Sequence, residues 1–247
     1  MRALAAPIRE WVDVGLGLIY PPVCQICEKF RATAAEGFVC GTCRKDVQPL
    51  VRPFCRRCGL PFHGEVTTKF ECANCADVAW HFTYARAAAI SQGPVRSAIL
   101  RYKYQRALWF ESFLADLLVG AAVLELKSAK ATQVVPVPLH PLKEREREFN
   151  QAVRLGGYLA TALEIPLNTK LLRRVSFTVT QTRLSRADRA RNMHRVFALT
   201  PGTNLAGQRL VLVDDVFTTG ATTNACAKVL RAAGAAEVCV WTVARGI

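Results

Sequence analysis

Two adjacent carboxylates, Asp214 and Asp215, follow the apolar run Val211-Leu212-Val213, and a turn of small residues, Thr218-Thr219-Gly220-Ala221-Thr222, comes just after them. Open α/β sheets bind ligands beyond the carboxyl ends of their strands. There the free N–H groups of a turn and of a helix start attract an anion. Gly220 permits a close backbone approach that a side chain would block, and Thr219 and Thr222 add hydroxyl donors. Two acids beside such a cradle would repel an anion unless they accept hydrogen bonds from a diol or touch Mg²⁺. A sugar phosphate with a vicinal diol satisfies both halves: Asp214 and Asp215 for the hydroxyls, Thr218, Thr219, Gly220, Ala221 and Thr222 for the phosphate.

A second cradle is suggested by Val135-Pro136-Val137-Pro138-Leu139-His140, then Lys143, Arg145 and Arg147, then Phe149-Asn150-Gln151 opening a helix. A stiff loop with cations beside a helix start can hold a diphosphate. His140, Lys143, Arg145 and Arg147 are its candidates, joined by Arg189 from an Arg-rich stretch farther on. The Asp214–Thr222 loop offers no obvious general base, and the catalytic residues stay unassigned.

Eight of the ten cysteines form C-x2-C pairs: Cys24/Cys27, Cys40/Cys43, Cys55/Cys58 and Cys72/Cys75. The gaps repeat, so one unit occurs twice in tandem. Two residues between ligands let a tight turn aim both sulfurs at one ion, and two such knuckles complete the four-thiolate shell that suits Zn²⁺. A closed shell implies two structural zinc ions, which supply folding free energy to a segment with few core residues. Sequential pairing and cross-braced sharing of the metals both remain open at this point. Cys226 and Cys239 lie in apolar surroundings and read as core thiols.

These groups need elements to position them. Thr83–Ile90, Gln133–Val137, Leu171–Val175, Arg209–Asp214 and Glu237–Val243 read as strands. Pro94–Tyr104, Leu108–Leu126, Asn150–Leu163 and Ala221–Ala233 carry helical periodicity. Alternating strands and helices predict an α/β domain with a mostly parallel sheet flanked by helices. The expected organisation is a short amphipathic helix over 1–20, a double zinc ribbon over 21–80, and the α/β domain over 81–247. The polar, Arg-rich stretch 176–195 is expected to form a mobile hood over the sheet edge. Trp80, Trp109 and Trp241 are assigned to the core.

The chain has 247 residues and a formal charge of +14. Eight thiolates and two Zn²⁺ would bring that near +10, still basic enough to favour a polyanion. Residues 140–195 concentrate twelve Lys/Arg against five Asp/Glu. No apolar run is long enough to span a membrane, and nothing reads as a targeting signal, so a cytoplasmic location is expected.

The Asp214–Thr222 segment resembles the 5-phosphoribosyl 1-diphosphate motif of type I phosphoribosyltransferases. With Thr218 where hypoxanthine-guanine-type relatives carry an acid, that purine chemistry is not expected. The whole layout resembles the ComF family of competence-associated proteins, including its gluconate-utilisation-type members. The likeness rests on the cysteine knuckles, Lys103-Tyr104, Val-Pro-Val-Pro, Phe149-Asn150-Gln151, the Gln181/Arg189/Asn192 stretch and the Asp-Asp loop. The family usually has Gly before Phe-Asn-Gln; Glu148 here places a carboxylate near the proposed diphosphate site. The resemblance implies a type I phosphoribosyltransferase-like fold behind the double zinc ribbon. It implies binding of 5-phosphoribosyl 1-diphosphate or a related ribose phosphate with Mg²⁺, and a link to uptake of single-stranded DNA and contact with its machinery. It supplies no acceptor. The alternative is a nucleic-acid-handling protein whose ribose-phosphate site is regulatory.

Overall fold

The computed structural model describes residues 22–62, 64, 71–175 and 196–247. The helix expected over 1–20, His63, and the hood at 176–195 with Gln181, Arg189 and Asn192 lie outside the described residues. Among the described residues no helix is long and apolar enough to cross a membrane.

Four parallel strands form the central sheet: β1 (Ala85–Ile90), β2 (Gln133–Pro136), β5 (Arg209–Phe217) and β6 (Glu237–Arg245), in the order β1-β6-β5-β2. A short antiparallel pair, β3 (Leu172–Arg174) and β4 (Phe197–Leu199), stands apart from it. The sheet is the α/β architecture expected. Val211, Leu212 and Val213 are fully buried, as a strand covered on both faces requires. Val211 and Val213 pack with Phe113, Leu114 and Leu118 of α4 (Glu111–Ser128) and Leu155 and Leu159 of α6 (Gln151–Leu163). Leu210 and Leu212 face the other layer, with Cys226, Ala227 and Leu230 of α7 (Ala221–Ala232). Both Cys226 and Cys239 are core thiols.

β5 runs farther than its apolar stretch. It pairs with β6 from Arg209↔Glu237 to Phe217↔Arg245. The two acids therefore sit within a paired strand rather than just beyond it. Successive strand residues point to opposite faces, so Asp214 and Asp215 leave the sheet on opposite sides.

The N-terminal module contains two short helices, α1 (Gly41–Lys45) and α2 (Ala73–Ala76). Each starts just after the first cysteine of a knuckle, Cys40 or Cys72, and carries the second, Cys43 or Cys75. The linker between the ribbons covers the β1 edge, with Leu50 N–H donating to Ala88 O (3.0 Å) and Ile90 N–H to Gln48 O (2.9 Å). An otherwise open edge strand is thereby closed. The first ribbon packs on α3 (Gly93–Tyr104) and α4: Arg101 donates to Gln25 O, and Arg44 pairs with Asp116 at 3.4 Å. Trp241 is core, as expected, but Trp109 is 42% exposed at the start of α4, so its assignment to the core is corrected. A single turn of 3₁₀ helix, Leu108–Phe110, turns Phe110 inward in its place.

Candidate functional site

The zinc ligands form two separate clusters, Cys24/Cys27/Cys40/Cys43 and Cys55/Cys58/Cys72/Cys75. Ligation is thus sequential, each ribbon closing its own site. Sulfur–sulfur separations are 3.8 Å for Cys24–Cys43 and Cys27–Cys40, 3.9 Å for Cys55–Cys75 and 3.6 Å for Cys58–Cys72. Zn–S bonds of about 2.3 Å place tetrahedral sulfurs about 3.8 Å apart, so the residues fit the ion. The knuckle geometry repeats: Cys40 N–H donates to Cys24 Sγ and Cys72 N–H to Cys55 Sγ, both at 3.3 Å. Burial pushes the Cys24 thiol up, but the amides of Cys40, Cys27 and Ile26 outweigh it and bring it down to about 6. Burial and the facing sulfurs push Cys43 and Cys75 well up. Four thiolates this close repel one another, and a divalent cation removes the conflict.

The sugar-phosphate loop lies between β5 and α7. Gly220 adopts φ +75°, and a Cβ there would come within 2.4 Å of the Phe217 ring and 2.9 Å of the Trp80 ring. Only glycine fits both the angle and the space. Thr218, Thr219, Ala221 and Thr222 are exposed. Asn224 N–H and Thr223 Oγ1 both donate to Gly220 O, at 2.8 and 3.0 Å, which starts the helix. Among the described residues, no group accepts from the amides of Thr218, Thr219, Gly220 or Thr222. The loop thus presents free N–H groups at the start of a twelve-residue helix, the arrangement that receives a phosphate.

The two acids have different surroundings. Asp215 is 5% exposed, and its carboxylate meets Lys103 Nζ at 2.7 Å. Asp214 is half-buried, and its Oδ1 accepts from Asp215 N–H at 2.9 Å. Desolvation, then the neighbouring Asp215 charge, push the Asp214 carboxyl up to about 7, against the opposing pull of the Asp215 amide and Lys103. Lys103 lies 112 positions from its partner, and nothing in the sequence alone connects the two.

The segment after β2 is a short helix rather than a stiff loop: α5 (Pro141–Arg147), capped by His140, whose Nδ1 accepts from Leu142 N–H at 3.2 Å. Lys143 and Arg145 are exposed on it. Arg147 lies over the Tyr104 ring, 5.2 Å from its centroid, and donates to Gln151 Oε1 at 3.3 Å. Asn150 caps α6 through Ala152 N–H (2.9 Å) and donates to Val137 O (3.2 Å), which fixes the two ends of the segment together. Glu148 has φ +66°, which explains why glycine suits this place; its carboxylate turns to Arg106 at 2.9 Å. Lys103 and Tyr104, at the end of α3, therefore join Asp215 to the α5–α6 segment.

Three further features were not foreseen. Arg245, 5% exposed, reaches from β6 to the loop and to a zinc knuckle. Glu111 accepts from Tyr102 Oη at 2.8 Å and from both ends of the Arg154 guanidinium, locking α3, α4 and α6 behind Lys103. A cleft of about 1080 Å³ separates the second ribbon from α7, lined in part by Trp80, His81, Thr218, Thr219, Asn224 and Lys228. Neither acid lines it.

Residues 15–78 match the double zinc ribbon domain and residues 150–247 the phosphoribosyl transferase domain. Competence protein F of Haemophilus influenzae is 33% identical over 223 residues, covering 85% of this chain and 92% of that protein. DNA utilization protein YhgH of Escherichia coli K12 is 29% identical over 235 residues, covering 92% and 99%. Among solved structures, a glutamine phosphoribosylpyrophosphate amidotransferase from B. subtilis complexed with ADP and GMP is 24% identical. It aligns over 51% of this chain and 24% of its own, with a TM-score of 0.36.

Proposed function

Because this chain belongs to the competence protein F family, we propose that it binds 5-phosphoribosyl 1-diphosphate in DNA utilisation linked to competence. The observation that carries this is the loop after β5: free amides at a helix start, with Asp214 and Asp215 a few residues behind them. The amides of Thr218, Thr219, Gly220 and Thr222 receive the 5-phosphate, beside that of Ala221, which donates to Thr219 Oγ1 at 3.4 Å. Asp214 accepts from the ribose hydroxyls, and Lys103 pairs with Asp215 on the other face of the strand. Lys143, Arg145 and Arg147, with His140, face the diphosphate.

The half-buried Asp214 carboxylate also suits a hydrated Mg²⁺ that takes most of its ligands from water and phosphate oxygens. That ion would neutralise charge on the departing diphosphate. The chain's own contribution is to position the ribose and to stabilise the leaving group with cations.

Calorimetry of the zinc-loaded protein tests this, with 5-phosphoribosyl 1-diphosphate and Mg²⁺ run beside ribose 5-phosphate and a single-stranded oligonucleotide. Saturable binding of the first, abolished in Asp214→Asn/Asp215→Asn, is expected. Heat from the oligonucleotide alone would overturn the proposal and favour the nucleic-acid reading, which the exposed Lys143 and Arg145 support.

A further inference from the structure

We infer that Arg245 couples the second zinc site to the sugar-phosphate loop, so that zinc in that ribbon and ribose phosphate on the loop strengthen each other's binding. The inference rests on the ribose-phosphate reading above. Arg245, the last residue of β6, is 5% exposed. Its Nε donates to Cys58 O at 3.0 Å, and its Nη2 lies 3.9 Å from Cys58 Sγ, a zinc ligand. Its Nη1 donates to Phe217 O at 3.1 Å and to Thr218 O at 2.8 Å, while the guanidinium lies over the Phe217 ring at 5.0 Å. One planar, five-donor group thus holds a zinc knuckle and the loop in a fixed relation, which a lysine could do only in part.

The contacts on the loop bear directly on the phosphate donors. In a trans peptide the carbonyl and the following N–H point in opposite directions. Holding the carbonyls of Phe217 and Thr218 toward Arg245 turns the amides of Thr218 and Thr219 to the far side of the loop. The orientation of two phosphate-binding N–H groups is therefore set from the zinc knuckle.

A second connection runs from the other end of the same site. Three residues past Cys75, the chain enters a segment that clamps α7: Asn224 Nδ2 donates to Ala79 O at 3.0 Å, and its Oδ1 accepts from His81 N–H at 2.7 Å. Trp80 closes on Gly220, and Phe82 meets Phe217 edge-on at 5.9 Å. The first ribbon makes its contacts with α3 and α4 instead, so it serves as an internal control.

Coupling of two sites is reciprocal in binding free energy. The full-length, zinc-loaded protein is titrated with ribose 5-phosphate by calorimetry. Zinc affinity is then measured by equilibrium competition with a chelator, with and without saturating ribose 5-phosphate. A Cys24→Ser/Cys40→Ser variant, which keeps only the second zinc, assigns the signal. Ribose 5-phosphate should tighten the second zinc about tenfold, within the usual range of such couplings, and leave the first unchanged. Arg245→Met should load both zinc ions yet lose the linkage and about tenfold of ribose 5-phosphate affinity; Arg245→Lys should recover part of both. Binding of ribose 5-phosphate with both zinc sites indifferent to it would overturn the coupling alone. Absence of binding by the wild type would overturn the ribose-phosphate reading as well. Should Arg245→Met fail to fold, the wild-type linkage and Arg245→Lys decide the matter.

Discussion

Gly220→Ala isolates the loop that the ribose-phosphate reading depends on. The residue has φ +75°, and an added Cβ would lie 2.4 Å from Phe217 Cζ and 2.9 Å from Trp80 Cζ3. A non-glycine residue in the left-handed region costs about 1–2 kcal/mol. Forcing a methyl into packed rings costs about 1–3 kcal/mol more. Reduced entropy of the unfolded chain returns about 0.4–1 kcal/mol. The net loss is about 1–5 kcal/mol, which for a chain of this size lowers Tm by roughly 2–20 °C. The Phe217 ring cannot move without disturbing the guanidinium of Arg245 that lies over it. Ribose 5-phosphate affinity should therefore fall at least about tenfold, a loss that 1.4 kcal/mol of misplacement is enough to cause.

Gly207→Ala is the control. Its φ is +76°, and a Cβ there meets nothing within 4 Å, so it should show only the backbone cost and unchanged ligand affinity. Thermal scans and calorimetry on the zinc-loaded proteins compare the two. A Gly220→Ala protein as stable as Gly207→Ala, with wild-type ligand affinity, would refute the crowded, fixed loop described here.

Other outcomes follow from the same geometry. Lys103→Met leaves the nearly buried Asp215 charge unpaired and should destabilise the protein by about 3–5 kcal/mol; adding Asp215→Asn should restore much of it in denaturant titrations. Asp214 has its folded pKa raised to about 7 from 3.8. Its contribution to stability is full below pH 4 and is lost as pH rises toward 7, by at most about 1.4 kcal/mol per pH unit. Asp214→Asn should flatten that slope in urea titrations between pH 4 and 7. Ribose binding needs the ionised form, so ligand affinity should instead rise through pH 7 in the wild type, and the rise should be absent in Asp214→Asn. Sequential ligation means Cys24→Ser/Cys40→Ser disables one site only, so metal analysis should find one zinc per chain; a zinc-free product would contradict it.

What the sequence made legible was local. The apolar run 211–213, the turn at 218–222 and the twofold cysteine repeat each carry their meaning within a few residues, and each folds as that local pattern requires. The end of β5 was misplaced because two acids read as a strand stop. Hydrogen bonding to β6 outlasts the apolar pattern, since the buried Thr242 to Arg245 segment continues to pair. His140 at the head of α5 was read as a loop residue because two prolines precede the helix or open it.

The features that escaped are charges whose partners are far away in sequence. Nothing local in the sequence marks Arg245, and Lys103 stands out only through the family likeness, with no partner indicated. The buried Arg245 is received by the Cys58 and Thr218 carbonyls, and the buried Asp215 by the partly exposed Lys103. A buried charge without such a partner would be strongly destabilising, so each burial is evidence that its partner is held in place. Lys103 fixes Asp215 from the α3 side of the sheet, and Arg245 fixes the loop from the zinc side. Asp215 and the 218–222 loop are thus anchored to two different parts of the molecule. A perturbation of the second ribbon should weaken phosphate recognition while leaving the Lys103–Asp215 pair intact.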